Sequence, residues 1–480
     1  MSIVKNKIDL LVELFEKWSN QAVTQVTALP PSGSYREYYR IKSDNISVLG
    51  VFNSDKREND AYLGFTDLLL NEKLNVPQTY IVDKEHDIYL IEDLGDITLF
   101  ALLEQERTSK EFPSSIIPIY KKVLQHLIQI QVKGATAIDY SLCYPRAAFD
   151  HQSMMWDLNY FKYHFLKLGR IPFDEQRLED DFNRFIEYLL SEEHDFFLYR
   201  DFQSRNIMVV NDEPWFIDYQ GGRKGALQYD VASLLYDAKA DMPNHIREEL
   251  LNFYIDELEK VRAIDKEQFK NYYQGYALIR MLQAMGAYGF RGFFEKKEHF
   301  LKSIPFALDN LGELLPKLSF LNTMPELQKT LKLVASSSEL RALGAESDNL
   351  KVTICSFSYK RGIPVDYSGN GGGFVFDCRA IHNPGKYPEY KTKTGRDAEV
   401  IHFFEQEVEM SSFLSDVFSI VSKSVAKYIK SGFTHLSVNF GCTGGQHRSV
   451  YSAEQLAAFL RQNYKIEIVI KHVELEMKQN

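Results

Sequence analysis

Three oxygen-bearing side chains lie close together in mid-chain. Asp201 and Asn206 fall within Tyr199-Arg200-Asp201-Phe202-Gln203-Ser204-Arg205-Asn206, and Asp218 ends Phe216-Ile217-Asp218. The apolar run Phe196, Phe197, Leu198 predicts a strand leading into the first stretch. Ile207 to Val210 and Trp215 to Ile217, joined at Asp212-Glu213-Pro214, predict a hairpin leading to Asp218. One carboxylate in such a loop can take or orient the proton of an attacking hydroxyl. The amide and the second carboxylate supply hard oxygen ligands for magnesium on nucleotide phosphates. Asp and Asn also populate turns for local hydrogen-bonding reasons. Three roles in order on one hairpin favour the catalytic reading, with Asp201 as the catalytic residue and Asn206 and Asp218 as metal ligands.

The elements around this loop belong to a large chain. Its 480 residues imply two or three domains. A net charge of −10 argues against a chain devoted to nucleic acid. Cys143, Cys355, Cys378 and Cys442 are far apart and match no zinc-ligand spacing, which fits a reducing compartment. Met1 to Trp18 reads as an amphipathic helix, with Ile8, Leu11, Leu14, Phe15 and Trp18 at helical spacing. No run reaches transmembrane length, so a cytoplasmic protein without a membrane partner is expected.

After that helix come strand-like runs at Ala22 to Leu29, Tyr35 to Ile41 and Ile46 to Phe52. A helix follows over Lys56 to Leu74, then strands at Gln78 to Val82 and Ile88 to Ile91. Ser32, Gly33 and Ser34 form a small-residue loop that can lay backbone N–H groups over ATP phosphates. Glu92-Asp93-Leu94-Gly95-Asp96 resembles a kinase hinge, where the backbone of Glu92, Asp93 and Leu94 would take adenine. The run Ile46 to Phe52 holds no lysine for the phosphates; Arg36, Arg40 and Lys42 on the preceding strand are the nearest cations, with Arg40 read as a substitute or as solvated strand-edge charge.

From Thr98 to about Asn322 the pattern is mostly helical. Ile116 to Val132 is amphipathic, and Phe149 to Leu168 carries an aromatic stripe that reads as core or as the wall of a sugar pocket. Asp230, in Gln228-Tyr229-Asp230-Val231, is placed to cap a helix.

Tyr199, Asp201 and Asn206 resemble the catalytic pattern of the aminoglycoside phosphotransferase-like kinases, and Asp218 falls at that family's second metal-binding Asp. In related kinases a residue matching Asp230 steadies the catalytic loop. Ser32 to Arg40, the Glu92 to Asp96 hinge, Gln203 to Asn206, Tyr229 to Leu235 and the helix containing Arg280, Met281, Leu282 and Gly286 resemble the anomeric N-acetylmuramate/N-acetylglucosamine kinases over residues 8–320. That resemblance implies transfer of the ATP γ-phosphate to the anomeric hydroxyl of an amino sugar. It also implies an acidic position at Asp157 and a basic one at Arg280, either of which can contact the sugar or pair within the fold.

Residues 323–350 read as a connector, in which Pro325 starts a short helical stretch and the chain turns small and polar from Ala335. Beyond it Lys351 to Ser358, Phe374 to Cys378, His435 to Phe440 and Ile466 to His472 predict strands, with helices over Phe413 to Ser431 and Val450 to Gln462. A small α/β sheet follows. Between its third strand and last helix lies Gly441-Cys442-Thr443-Gly444-Gly445-Gln446-His447-Arg448-Ser449. Inward-facing amides, a helix N-terminus and an arginine fork make a phosphosugar or anion site of Cys442, Thr443, Gly444, Gly445, His447, Arg448 and Ser449. Cys442 and Arg448 also have the spacing of cysteine-dependent phosphatases.

Tyr359 to Pro364, Phe376 to Arg379, Asn383-Pro384, Thr394 to Asp397 and Gly441 to Ser449 resemble the C-terminal domain of the RapZ-type RNase adapters over residues 351–475. That resemblance implies binding of small RNA and sensing of glucosamine-6-phosphate. The tail Val473 to Asn480 is nearly neutral, which weighs against RNA, whose affinity rests on phosphate neutralisation.

The expected fold is an α+β two-lobed, protein-kinase-like domain followed by a small α/β domain. Its parts are a small lobe and hinge at 1–95, a catalytic lobe at 96–322, a linker at 323–350 and a RapZ-like module at 351–480. The expected function is an ATP- and magnesium-dependent amino-sugar kinase of the bacterial cytoplasm, with a phosphorylated amino sugar as effector. The alternative is a regulatory RNA adapter built on a nucleotide-binding scaffold, which the missing strand lysine favours.

Overall fold

The computed structural model describes residues 6–30, 36–107, 111–295, 297–343, 350–364, 373–431 and 433–476. The chain divides into two compact units. One comprises Met1–Ala287 with Ser303–Leu340, the other Tyr288–Lys302 with Arg341–Asn480.

The first unit opens with α1 (Lys7–Ser19). Asn6 caps it by accepting from the N–H groups of Ile8 and Asp9. Its apolar stripe of Leu11, Leu14 and Phe15 packs on Ile41, Val48, Ile88 and Leu90. Those residues line an antiparallel sheet of β1 (Gln25–Ala28), β2 (Glu37–Lys42), β3 (Ser47–Phe52), β4 (Thr79–Asp83) and β5 (Ile88–Glu92), in the order β1-β2-β3-β5-β4. Between β3 and β4 runs α2 (Lys56–Asn71), capped by Asp55 and burying Ala61, Tyr62, Phe65 and Leu69. The expected helix of the small lobe thus forms, ending three residues earlier than its apolar pattern.

The large lobe is helical. It contains α3 (Leu99–Glu106), α4 (Ile117–Ala137), α5 (His151–Tyr160) and α6 (Glu175–Leu190), with α5 running on through a wider π turn at Phe161–Leu166. Phe161 and Phe165 of the aromatic stripe are buried and stacked, whereas Trp156 and Tyr163 face outward. Two short antiparallel ribbons carry the catalytic stretch: β6 (Phe196–Leu198) pairs with β9 (Arg223–Gly225), and β7 (Ile207–Val210) with β8 (Glu213–Phe216). Then come α7 (Leu227–Leu235), α8 (Asn244–Glu259) and α9 (Lys266–Tyr288). A single-turn α10 (Glu298–Leu301) belongs to the second unit, and α11 (Ile304–Leu314) returns to the first.

The helical stretch expected from Pro325 forms, but it packs into the first unit and is no free connector. Pro325–Ser336 forms α12, which buries Leu327, Leu331 and Val334. Asp181 on α6 receives the N–H groups of Glu326 and Leu327 at 2.8 and 3.0 Å, and Glu326 receives that of Asp174 at 2.9 Å. An apolar stripe with a ready cap outweighs the small polar residues that begin only at Ala335. A short α13 (Ser338–Ala342) follows, and residues 344–349 lie outside the described residues.

In the second unit β10 (Lys351–Ser358), β11 (Phe374–Asp377), β12 (His435–Cys442) and β13 (Glu467–His472) form a parallel sheet in the order β11-β12-β10-β13. Between β11 and β12 come α14 (Ala398–Glu405), not anticipated from sequence, and α15 (Val408–Lys430). After β12 follow α16 (Arg448–Asn463) and, past β13, α17 (Val473–Glu476). Val352, Ile354, Val438 and Phe440 of the sheet pack with Val417, Val421, Leu456 and Leu460 of the helices. Among the described residues no helix is long and apolar enough to cross a membrane.

Candidate active site and anion loop

The catalytic stretch is held from below by one buried carboxylate. Asp230 on α7 accepts the N–H groups of Tyr199 and Arg200 at 2.8 and 3.0 Å, and Gln131 Nε2 at 3.3 Å. It is a strut inside the helix and not the N-terminal cap that its sequence position suggested. Burial, outweighing those donors, pushes its carboxyl up to about 7. The strut fixes Arg200 at φ +84°, a region that residues with a β-carbon rarely occupy. Asp218 sits at φ +71°. The chain between them and β9 turns tightly through Gly222, where a β-carbon would lie 2.3 Å from the Phe197 ring.

This loop brings Asp201, Asn206 and Asp218 together. Asn206 Nδ2 donates to the Asp201 carbonyl at 2.9 Å and to Asp218 Oδ2 at 3.1 Å. With both amide hydrogens used inward, Oδ1 is the atom left for a cation. Asp218 keeps solvent access, yet crowding by protein and the nearby Asp201 push its carboxyl up to about 6. Two mutually repelling carboxylates and an outward amide oxygen are a donor set suited to a hard divalent ion.

The small lobe reaches the same point through Arg36, one of the cations noted in sequence, and through Glu58 and Gln220, which sequence reasoning missed. Gln220 Nε2 donates to Asp218 Oδ1 at 2.8 Å and to Glu58 Oε1 on α2 at 3.1 Å. Glu58 lies 3.3 Å from Arg36, whose side chain is only 2 % exposed and whose charge acts on Asp218. Arg36 directly follows residues 31–35, so the Ser32, Gly33 and Ser34 loop itself lies outside the described residues. The signal in the sequence was the position of Arg36 between that loop and β2.

Arg40, expected as the substitute phosphate cation, is engaged elsewhere. It donates to Asp93 at 2.8 and 3.0 Å, to Asp96 at 2.8 and 3.0 Å and to the Gly95 carbonyl. Arg40 therefore clamps the hinge. Ser47 adds a 2.5 Å bond to Asp93, and Glu92 gives its N–H to the Gln78 carbonyl. Leu94 lies between the clamped Asp93 and Gly95.

Beside Asp201 stands an arginine group. Arg280 Nη2 is 3.9 Å from Asp201 Oδ1, with Nε on Ser233 Oγ at 2.9 Å. Asp157 Oδ1 receives Arg200 Nη2 at 2.6 Å, and Arg200 also donates to the Tyr229 hydroxyl. Arg223, at the start of β9, gives Nε and Nη2 to the Gly221 carbonyl. The sequence-derived Asp157 and Arg280 are thus both next to the catalytic loop.

In the second unit the loop after β12 curls tightly. Gly445 sits at φ +64° and donates its N–H to Cys442 Sγ at 3.2 Å, and Ser449 Oγ lies 3.2 Å from that sulfur. Ser358 Oγ holds the Thr443 carbonyl, and nothing stands within 4 Å of a β-carbon added at Gly444. Cys442, Thr443, Gly444, Gly445 and Ser449 therefore gather around one turn. His447 and Arg448 look away from it: the His447 Nε2 is 2.8 Å from the Tyr390 carbonyl, and Arg448 Nη1 donates to the carbonyls of Arg379 and Ile381 at 2.8 and 2.9 Å. The Gly-rich stretch at 368–373 lies almost wholly outside the described residues.

Residues 34–264 match the model of the phosphotransferase enzyme family, and residues 350–476 that of the RapZ C-terminal domain. A nucleotide-binding protein of Saccharophagus degradans is 35% identical over 156 residues, 32% of this chain and 49% of that protein. One of Thermotoga neapolitana is 38% identical over 136 residues, 28% of this chain and 46% of its own length. The chain spans about half the length of the curated relatives it matches. Among solved structures, the choline kinase LicA of Streptococcus pneumoniae aligns over 64% of this chain and 99% of its own at 15% identity, with a TM-score of 0.43. A choline kinase of Cryptosporidium parvum aligns over 68% and 100% at 12% identity, with a TM-score of 0.45. The chain thus has a kinase-like fold, with residues 34–264 similar to the phosphotransferase enzyme family, followed by a RapZ-like C-terminal domain at residues 350–476.

Proposed function

We propose that the first unit transfers the γ-phosphoryl group of ATP to a hydroxyl of an amino sugar, with the anomeric hydroxyl of N-acetylmuramate or N-acetylglucosamine as the first acceptors to try. The observation that carries this is the meeting of Asp201, Asn206 and Asp218 on a loop strutted by Asp230. Asp201 accepts the acceptor's proton, and Arg280 beside it steadies the carboxylate. Asn206 Oδ1 and Asp218 are the groups that would hold magnesium, which when bound neutralises charge on the transferring phosphoryl group. Arg36, oriented by Glu58, is the cation facing the phosphates in place of a strand lysine. The 32–34 loop covers the phosphates, and the hinge backbone around Leu94 takes adenine. Positioning supplies most of the rate, as is general for phosphoryl transfer.

The second unit, from about residue 351, is proposed to bind a phosphorylated amino sugar at the Cys442–Ser449 turn and so to tune the kinase. Titration with glucosamine-6-phosphate that moved neither kinase rate nor thermal stability would rule this out. The kinase itself is tested by ATP consumption against amino sugars, aminoglycosides and simple hexoses, with mass detection of product. Asp201→Asn should lose roughly 10²–10⁴-fold in kcat with little change in ATP KM. Magnesium-dependent ATP binding without turnover of any acceptor would support the scaffold reading instead.

A further inference from the structure

A cavity of about 150 Å³ lies where the start of β6, the first turn of α7 and the N-terminal end of α9 come together. Glu192, Phe196, Gln228, Arg262, Asp265 and Gln268 line it. Gln228 is 1 % exposed, and its Nε2 donates to Glu192 Oε1 at 2.9 Å. Its Oε1 is buried and accepts no hydrogen bond among the described residues. The Arg262 Nε is likewise buried without an acceptor. Both Nη atoms of that side chain are spent on Glu193, at 2.7 and 3.3 Å, and its guanidinium lies 4.7 Å from the centre of the Phe196 ring. An acceptor and a donor, each without a partner, thus border one cavity. Buried polar atoms are normally paired, and each of these gains from a ligand that supplies its partner.

Charge selects the class of that ligand. Glu192 also receives Gln268 Nε2 at 2.9 Å, and Asp265 receives the N–H groups of Glu267 and Gln268, both at 3.0 Å. These donors are neutral, and among the described residues neither carboxylate makes an ion pair. Glu193 already neutralises Arg262. The unmatched negative charges of Glu192 and Asp265 repel an anion and favour a cation. A primary ammonium brings three N–H donors and no acceptor, so it can meet Gln228 Oε1 and the Glu192 carboxylate together. A hydroxyl on the same small molecule gives Arg262 Nε its acceptor. A cavity of about 150 Å³ admits a molecule of benzene's size, roughly six non-hydrogen atoms. A nucleotide or an amino sugar is too large to be held within it.

We propose that this cavity binds a small amino alcohol, with its ammonium on Gln228 and Glu192 and its hydroxyl on Arg262, and that occupancy is felt at the catalytic loop. The coupling follows from where the lining residues stand. Gln228 lies two residues before Asp230, whose carboxylate holds the N–H groups of Tyr199 and Arg200. Phe196 begins the strand that leads into Tyr199. A ligand touching both residues steadies the strut and the strand together, and so slows the local openings that expose those N–H groups to exchange. Neither the site nor the coupling rests on the phosphoryl-transfer reading.

Calorimetry with the full chain compares 3-amino-1-propanol with 1,3-propanediol and 3-hydroxypropanoate, which keep the carbon chain and change the charge. The amine should bind roughly tenfold or more tightly than the diol, as one charge-assisted hydrogen bond implies, and the acid should not bind measurably. Gln228→Met removes the acceptor at similar volume, and Glu192→Gln removes the charge while keeping the shape. Each should weaken the amine by roughly tenfold. Thermal unfolding of both variants distinguishes lost recognition from lost fold. An amine that binds no more tightly than the diol overturns the site, as does amine binding unchanged in either folded variant, which would place it elsewhere on the chain. Hydrogen exchange read by mass spectrometry tests the coupling. With the amine saturating, the segment carrying Tyr199 and Arg200 should exchange roughly threefold more slowly or better, and Gln228→Met should abolish the difference. Unchanged exchange with the amine bound overturns the coupling and leaves the binding site standing. None of these readouts needs turnover, so failure of the kinase reading would not alter them.

Discussion

Glu58→Gln tests how the two lobes are wired to the metal side of the site. Glu58 bridges the buried Arg36 at 3.3 Å and Gln220 at 3.1 Å, and Gln220 in turn holds Asp218. The amide keeps the shape and can still accept from Gln220, so the change removes the charge facing Arg36 and the acceptor for Asn53 Nδ2. Breaking a buried pair costs about 3–5 kcal/mol. Here the Glu58 side chain is 26 % exposed and its ion pair with Arg36 is long, so about 2 kcal/mol is the reasonable figure. In a lobe pair of this size that lowers Tm by roughly 4–8 °C. If Arg36 meets the ATP phosphates, the nucleotide restores a negative partner. Magnesium-ATP should then raise the variant's Tm by more than it raises that of the wild type. The ATP kcat/KM should fall about tenfold, because Arg36 is no longer oriented before binding. Differential scanning fluorimetry with and without magnesium-ATP, paired with initial rates, reads both. A variant melting within about 1 °C of wild type, with ATP kinetics unchanged within about twofold, would refute the assignment of Arg36.

Three further outcomes are expected. Asp230→Ala strips the acceptor from two buried N–H groups at about 1–3 kcal/mol each, so kcat should collapse and Tm drop, while magnesium-ATP binding suffers less. Arg40→Ala should destabilise most at neutral pH. Burial alone would raise the Asp93 carboxyl, but Arg40, Ser47 and the Gly95 N–H outweigh it and hold it below the usual carboxylate range. The advantage of wild type is then present above that range and should shrink as pH falls through the lowered folded value, measured by urea unfolding from pH 7 downwards. Gly445→Ala combines φ +64° with a β-carbon 2.3 Å from Glu474 Cγ and 3.0 Å from the Ser358 nitrogen, so a second-unit unfolding transition should move down by several degrees.

The meeting of the candidate catalytic residues was legible because they are local in sequence. Asp201, Asn206 and Asp218 lie within one hairpin, and turn residues and apolar runs set that hairpin without help from distant chain. The strands of both units were legible for the same reason, since β-branched and aromatic runs bounded by small residues mark them one at a time. What failed depended on distant partners. Arg40 reads as a free cation until Asp93 and Asp96 are placed beside it by the β2–β3–β5 register. Arg36 and Glu58 lie on different elements and become a pair only when α2 packs on the sheet. By position alone Asp230 looks like a cap, because capping is local; its partners thirty-one and thirty residues upstream were reachable only through the kinase resemblance, which implied that it steadies the loop. The α12 helix was anticipated from Pro325, but its docking was hidden because the partner, Asp181, comes from α6.

Arg448 poses the same question in the second unit. In sequence it is the cation of an anion loop. In the fold it is 5 % exposed and holds the carbonyls of Arg379 and Ile381, which fixes the chain leaving β11 against the start of α16. The two roles predict opposite results for Arg448→Ala. As a structural anchor, its loss orphans two buried carbonyls, together about 3 kcal/mol, and lowers the second unit's Tm by roughly 10 °C. Protection by added phosphate or glucosamine-6-phosphate would then persist, because Thr443 and Gly444 supply backbone N–H groups that the substitution leaves alone. As an anion ligand, its loss would leave the baseline Tm almost unmoved and abolish the protection. The Nη1 geometry favours the first outcome. An unmoved baseline with lost protection would show that Arg448 leaves those carbonyls for the ligand.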